Sequence, residues 1–334
     1  MIEPTAPKRP GRFWGSLVLS ALLAGAVLLF LFRQVQWEAM QTLRLRWPWL
    51  LLGLGAYLLT QFVRGWRLVL ATHGARSAWR WTIVTMAQNL LLLLLPMRTG
   101  ELSFVALLTR ELGTGLAAAG RLVIVVRLLD LASVGLAFAL ACWLPGVIPS
   151  AVRAIWPLAA AASVACLLIL LWPQVLVGLV RPPLRWLGER PGLRERALVT
   201  KGRGLMAQLV DLRELPWLRR ALPGLLAQSL LIWGLLSVAN LCYMAAVGLW
   251  LTPAQAFYVT SVIVLSGVLP IHGLASFGPL DAIGTALLMS LGHPKQVAIP
   301  TQLAWHAQTA SVICGTGLLA WLLMVSRRGA PRSP

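Results

Sequence analysis

The chain has 334 residues, 58% of them hydrophobic and 12% charged, and its 29 Lys+Arg against 10 Asp+Glu leave a net charge of +19. A soluble domain carries about twice that charged fraction, so a water-soluble globule is excluded, as are a disordered chain, a coiled coil and a disulfide scaffold. The excess of basic residues is tested first as a membrane-orientation signal, ahead of nucleic-acid binding.

Residues 1–13 hold Lys8, Arg9 and Arg12 ahead of an uncharged run over 14–32. Phe32-Arg33-Gln34 follows that run in place of a small-residue cleavage site, which predicts a retained first membrane helix. Spanning about 30 Å of hydrocarbon needs about 20 helical residues. Further spans are predicted over 48–70, 122–143, 154–172, 222–248 and 299–325. Two more apolar stretches are interrupted. Residues 81–113 break at Pro96-Met97-Arg98-Thr99-Gly100-Glu101, and 254–291 break at Pro270-Ile271-His272-Gly273. Cys142, Cys166, Cys242 and Cys314 all lie in apolar runs with no C-x-x-C pair, and read as small core hydrophobes.

Segments 1–13, 64–80, 173–220 and 327–334 hold 20 of the 29 Lys/Arg, which puts them on the cytoplasmic side. Trp14, Trp47, Trp49, Trp66, Trp79, Trp143, Trp172 and Trp250 fall near predicted boundaries, where indole favours the interface. With this orientation 81–121 begins and ends in the cytoplasm and 254–298 begins and ends outside. The first is predicted to be a re-entrant hairpin. The second is a re-entrant hairpin or a pair of full crossings. Paired Pro/Gly-interrupted segments of opposite orientation are the signature of an inverted repeat.

The fold class expected is therefore an all-α polytopic membrane protein. It has about six full transmembrane helices and two re-entrant helical hairpins arranged as an inverted repeat. A cytoplasmic N-terminus (1–13) and tail (326–334) flank one transmembrane domain over 14–325. Its halves, 14–172 and 221–325, are joined by a basic cytoplasmic loop, 173–220.

The residues that stand out are ionisable groups at membrane depth, where a charge costs about 2.5–3.5 kcal/mol on insertion scales. Arg98 and Glu101 sit at the first tip. With Thr99, Gly100 and the N–H groups of the second limb they form a candidate headgroup site, or else an internal pair that staples the tip. Arg127 and Asp130, a turn apart, either close a neutral four-charge cluster with that tip or form a purely structural network. Asp281 has no Lys or Arg within 221–294, so its partner must come from another segment, or it is protonated in one state. That makes it a candidate for proton or cation coupling, and its place beside Pro279 equally suits a helix N-terminal acid. His272 and Gly273 at the second tip, Gly278 and His306 complete the candidate substrate-binding set. The two histidines have no metal-ligand spacing and no acidic neighbour in register. Polar stripes at helical spacing (Gln302/His306/Thr309, Ser229/Trp233/Ser237/Asn240/Met244, Thr82/Thr85/Asn89) read chiefly as glue between helices. No catalytic residue, metal or cofactor is expected.

The stretches Pro96-Met97-Arg98-Thr99-Gly100-Glu101, Arg110-Glu111-Leu112-Gly113 and Val126-Arg127-Leu128-Leu129-Asp130 resemble the membrane domain of lysylphosphatidylglycerol synthases. This is a flippase-like integral membrane family whose pattern is P-x-R-x-G-E and then E-R-x-x-D. Leu269-Pro270-Ile271 through Phe277-Gly278-Pro279-Leu280-Asp281 is similar to the family's second signature. Two positions depart: Val126 stands where the pattern has Glu, and Asp281 where it has Glu. The resemblance spans about 15–325 and implies the lipid-translocating half, without the soluble aminoacyl-transferase domain.

The function expected is translocation of an anionic or aminoacylated phospholipid, or a lipid-linked intermediate, across the cytoplasmic (inner) membrane, with both termini cytoplasmic. The alternatives are an intramembrane enzyme acting on lipid headgroups and a non-catalytic partner of a separate lipid synthase. The partners expected are the lipid substrate, possibly a separate lipid-modifying enzyme, and an anionic lipid surface at 173–220, but no nucleic acid. That loop reads equally as one that only sets orientation.

Overall fold

The computed structural model describes residues 44–95, 99–143, 148–172, 182, 216–266 and 277–326. Among them every regular element is helical. The elements are α1 (Trp47–Ala71), α2 (Ala78–Leu94), α3 (Thr99–Leu112), α4 (Leu116–Trp143), α5 (Ser150–Arg153), α6 (Trp156–Leu171), α7 (Pro216–Ala246), α8 (Pro253–Ser266), α9 (Pro279–Ser290) and α10 (Lys295–Ser326). The predicted helix 14–32, the tip residues Arg98, His272 and Gly273, and nearly all of the loop 173–215 lie outside the described residues.

Among the described residues, three helices suffice by length and composition to cross a membrane: Leu116–Trp143, Leu218–Ala246 and Lys295–Ser326. Their outward residues are apolar, as in Leu116, Leu140, Leu231, Leu318 and Leu322. The α6 helix presents Leu158, Val164 and Leu168 in the same way. Apolar side chains left outside a packed helical core are what a bilayer covers, and the protein is a membrane protein. Trp47 opens α1, Trp143 closes α4, Trp172 follows α6 and Trp250 follows α7, all exposed.

Several helices extend beyond the predicted spans, for local reasons. The α4 helix starts at Leu116 rather than 122 because Leu116-Ala117-Ala118-Ala119 are strong helix formers, and the Gly115 carbonyl accepts from Ala118 and Ala119 N–H. The α10 helix starts at Lys295 rather than 299, with the Pro294 carbonyl accepting from Val297 and Ala298 N–H at 2.9 Å each. Pro300 is absorbed early in this helix, where it removes one intrahelical bond. The α7 helix starts at Pro216, inside the segment assigned to the loop.

Each of the two interrupted stretches carries a described helix on either side of its Pro/Gly-containing segment. The α2 and α3 limbs have 17 and 14 residues, rising about 26 and 21 Å. The described α8 and α9 limbs have 14 and 12 residues, rising about 21 and 18 Å.

The chain divides into two compact units. The first gathers Met1–Gly55, Met86–Ser103 and Ala239–Pro334; the second gathers Ala56–Thr85 and Phe104–Val238. In the first, the Arg46 N–H donates to the Ala246 carbonyl at 2.8 Å, and Trp49 meets Trp250 edge-on at 5.1 Å. The Asn240 amide there donates to the Thr260 hydroxyl at 3.0 Å and accepts from Trp305 Nε1 at 3.3 Å, joining α7, α8 and α10. In the second, α4 lies along α6, and a Cβ added at Gly135 would overlap the Ser163 side chain. Small residues there let the helices approach closely, since lipid supplies no hydrophobic drive between them.

Candidate functional site

The second unit holds a buried ionic cluster built from α1, α4 and α7. Arg67 is 3% exposed. Its Nη1 donates to Asp130 Oδ1 at 2.6 Å and to Ser229 Oγ at 2.7 Å. The Ser229 hydroxyl donates in turn to the Leu225 carbonyl at 2.8 Å, which fixes it as an acceptor toward Arg67. Arg127 Nη1 reaches the other Asp130 oxygen at 3.3 Å. Arg64, one turn before Arg67, lies within electrostatic reach of Asp130, Arg67 and Arg127, with its guanidinium carbon 5.9 Å from the Trp233 ring.

Helical spacing produces this convergence. Arg64/Arg67 and Arg127/Asp130 are each i, i+3, and Ser229/Trp233 are i, i+4, so each helix offers one face. Two donors in the cluster are unsatisfied: Arg67 Nε and Trp233 Nε1 are buried and, among the described residues, have no hydrogen-bond partner. A buried donor left unmade costs about 1–3 kcal/mol, more for a charged group.

These positions correct one expectation. Arg67 belongs to the segment 64–80 whose basic residues are counted as cytoplasmic, yet it lies inside α1 and holds the buried acid. Within this unit Asp130 is held by Arg127, the local pair read from the sequence, and by Arg67. Arg98 lies outside the described residues. Glu101 is half-buried in the first turn of α3, where a carboxylate suits the helix dipole. Gly100 is buried at the start of that helix, where a Cβ would come within 2.5 Å of the Leu92 Cα. Glycine thus lets the two limbs meet backbone to backbone at the break. At the other end of this hairpin, Arg80 Nε and Nη2 grip both Glu111 oxygens, at 2.9 and 2.7 Å, a bidentate clamp between the start of α2 and the end of α3.

The first unit carries the second constellation. Asp281 is fully buried, and its Oδ1 lies 2.6 Å from His306 Nδ1. Its Oδ2 accepts the Gly278 N–H at 2.9 Å. Gly278 has φ 97°, the left-handed region that favours glycine, and Pro279 opens α9 behind it. Asp281 therefore does serve as a helix N-terminal acid, and its second partner comes from α10. The expectation that His306 lacks an acidic neighbour is corrected: the neighbour lies 25 residues away in sequence and sits on the facing helix. Phe277 stacks on the His306 ring at 4.0 Å between centroids. Sequence reading named Asp281, His306, Arg127 and Asp130, placed Ser229 in a stripe read chiefly as glue between helices, and missed Arg67 and Arg64 as site residues. The available signal was an arginine pair at i, i+3 inside the last third of a predicted span.

The family model described as "Lysylphosphatidylglycerol synthase TM region" matches residues 15–317. No curated protein and no solved structure matches the chain.

Proposed function

We propose, from the premise that the chain belongs to the lysylphosphatidylglycerol synthase TM-region family, that it moves an anionic or aminoacylated lipid between the leaflets of the cytoplasmic membrane without altering it chemically. The family ties the chain to membrane lipid. The observation that carries the finer reading is Arg67, buried among α1, α4 and α7 with one guanidinium edge spent on Asp130 and Ser229 and its Nε unused. A forked guanidinium held in a dry, helical environment suits a phosphodiester, and Arg64 and Arg127 add charge of the same sign beside it. Asp130 keeps the arginines in place between substrates, since a buried cation without a counter-charge is costly.

The layout that goes with this reading has six crossings and two re-entrant hairpins. The short rise of α3, and of the described parts of α8 and α9, supports it, because about 30 Å must be crossed. The concentration of Lys and Arg in 1–13, 173–220 and 327–334 supports cytoplasmic termini. A lipid-modifying enzyme elsewhere would supply the substrate.

The test is a leaflet assay on the purified full chain in liposomes containing a fluorescent anionic phospholipid. Faster exchange than in protein-free vesicles is expected, together with unchanged lipid on chromatography. Arg67→Gln should slow it by about tenfold or more, the value of one charge-assisted contact. Exchange no faster than in empty vesicles, or a chemically altered headgroup, overturns the reading.

A further inference from the structure

The Asp281–His306 pair does not stand alone. The α9 and α10 helices pack antiparallel, with Asp281 opposite His306 and Gly284 opposite Gln302. Asp281 and Thr285 lie i, i+4 on one helix, and Gln302 and His306 lie i, i+4 on the other. Four polar side chains thus occupy two adjacent rungs between the helices. Their exposures are 0%, 6%, 0% and 3% for Asp281, Thr285, Gln302 and His306.

Two of the four are unsatisfied. Six other helical hydroxyls are spent on their own backbone: Thr60, Thr82, Thr109, Ser163, Ser237 and Thr316 each donate to a carbonyl four residues back, whereas Ser133, like Thr285, makes no hydrogen bond among the described residues. Thr285 Oγ1 is buried and, among the described residues, makes no hydrogen bond. The Gln302 amide is in the same state at both Oε1 and Nε2. That side chain lies so close to Gly284 that a Cβ there would overlap it, so the missing side chain at 284 makes room for the amide. Asp281 still has capacity as well. A carboxylate offers about four lone-pair positions, and His306 Nδ1 and the Gly278 N–H account for two.

A carboxylate on one rung, and a hydroxyl and an amide carbonyl on the next, therefore lie on neighbouring turns between the two helices. Hard cations take oxygen ligands of these kinds. The charge also fits. Over 216–326 the Lys, Arg, Asp and Glu residues are Arg219 and Arg220 at the start of α7, Asp281, and Lys295 at the exposed start of α10. With a neutral imidazole, one positive charge brings the Asp281 site to neutrality.

We propose that Asp281, Thr285 and Gln302 bind one small monovalent metal cation of the Na+ class, with His306 and the Gly278 N–H orienting the carboxylate. His306 donates through Nδ1 and acts as a positioning residue, as a hydrogen-bonded partner does for a ligating group. The site is distinct from the arginine cluster and does not depend on the lipid reading.

Binding of radiolabelled Na+ to the purified full chain in detergent, with choline as the replacing ion, tests this without any lipid-transport readout. Saturable binding of one Na+ per chain is expected. Asp281→Asn, Thr285→Val and Gln302→Leu should each weaken it about tenfold or more, the scale seen when a supporting group around a metal is lost. Ser237→Ala, whose hydroxyl is spent on Trp233, should leave it unchanged. Thermal melts of each variant establish folding, and Thr285→Val keeps the shape of the side chain. Absence of saturable Na+ binding by the unmodified chain overturns the proposal, since waters alone then fill the two rungs. So does Na+ binding that Thr285→Val and Gln302→Leu leave untouched, or proton uptake in place of Na+.

Discussion

Asp130 and Asp281 are both buried carboxylates inside apolar helices, and the protein deals with them in opposite ways. Asp130 is held by Arg67 and Arg127, with Arg64 in reach, so its surroundings carry permanent positive charge. Asp281 is held by a histidine, a backbone N–H and a helix N-terminus, none of which commits a full permanent charge. The first arrangement favours an anion arriving beside fixed cations. The second leaves a carboxylate that one added cation completes. Both arrangements answer the same cost, because a charge at membrane depth is expensive unless it is compensated.

The comparison can be broken most severely at Asp130. Asp130→Ala should cost about 3–5 kcal/mol, since it strands the buried Arg67, and chemical denaturation in detergent reads it directly. Arg67→Leu combined with Asp130→Leu should recover much of that loss, because an apolar pair replaces an ionic one. A double variant as unstable as Asp130→Ala would show that the arginine cluster does more for folding than neutralise its acid.

At the other carboxylate the sharpest probe is steric. Gly284→Val should cost about 1–3 kcal/mol by forcing the Gln302 side chain out of its place, measured as a lowered thermal midpoint. Smaller is Arg80→Ala, which releases Glu111 from a pair that is partly exposed on the arginine side. About 1–2 kcal/mol is expected, between the values for exposed and buried pairs. Smallest is Asp281→Asn, at about 1 kcal/mol, since the amide oxygen still accepts from Gly278 N–H, the His306 ring can switch tautomer to accept from the new NH2, and the loss is the charge toward the dipole. A loss there as large as at Asp130 would erase the distinction between the two sites.

Much of the helical layout was legible because burial in lipid forces every backbone group into a helix, and 58% hydrophobic content announces that solvent. The helix starts at Thr99 and Pro279 were marked by the Pro and Gly beside them. Helix starts were less legible: Leu116 and Lys295 lie beyond the apolar runs, in residues that are helical for reasons of propensity and capping. Among the site residues, Arg127–Asp130 could be read because the pair is local in sequence. Arg67 could not, since an arginine near the end of a span looks the same whether it faces cytoplasm or a carboxylate 63 positions away. His306 was named but left without its acid for the same reason.

The sequence by itself determined the solvent, the helices and the short list of ionisable residues at depth, because these follow from local composition and spacing. Only the tertiary structure decided which cation meets which acid, and which polar atoms are left over. Those depend on contacts between helices distant in the chain, where a few ångströms separate a hydrogen bond from none. The unspent Nε of Arg67, hydroxyl of Thr285 and amide of Gln302 became visible only once every nearer partner had been accounted for.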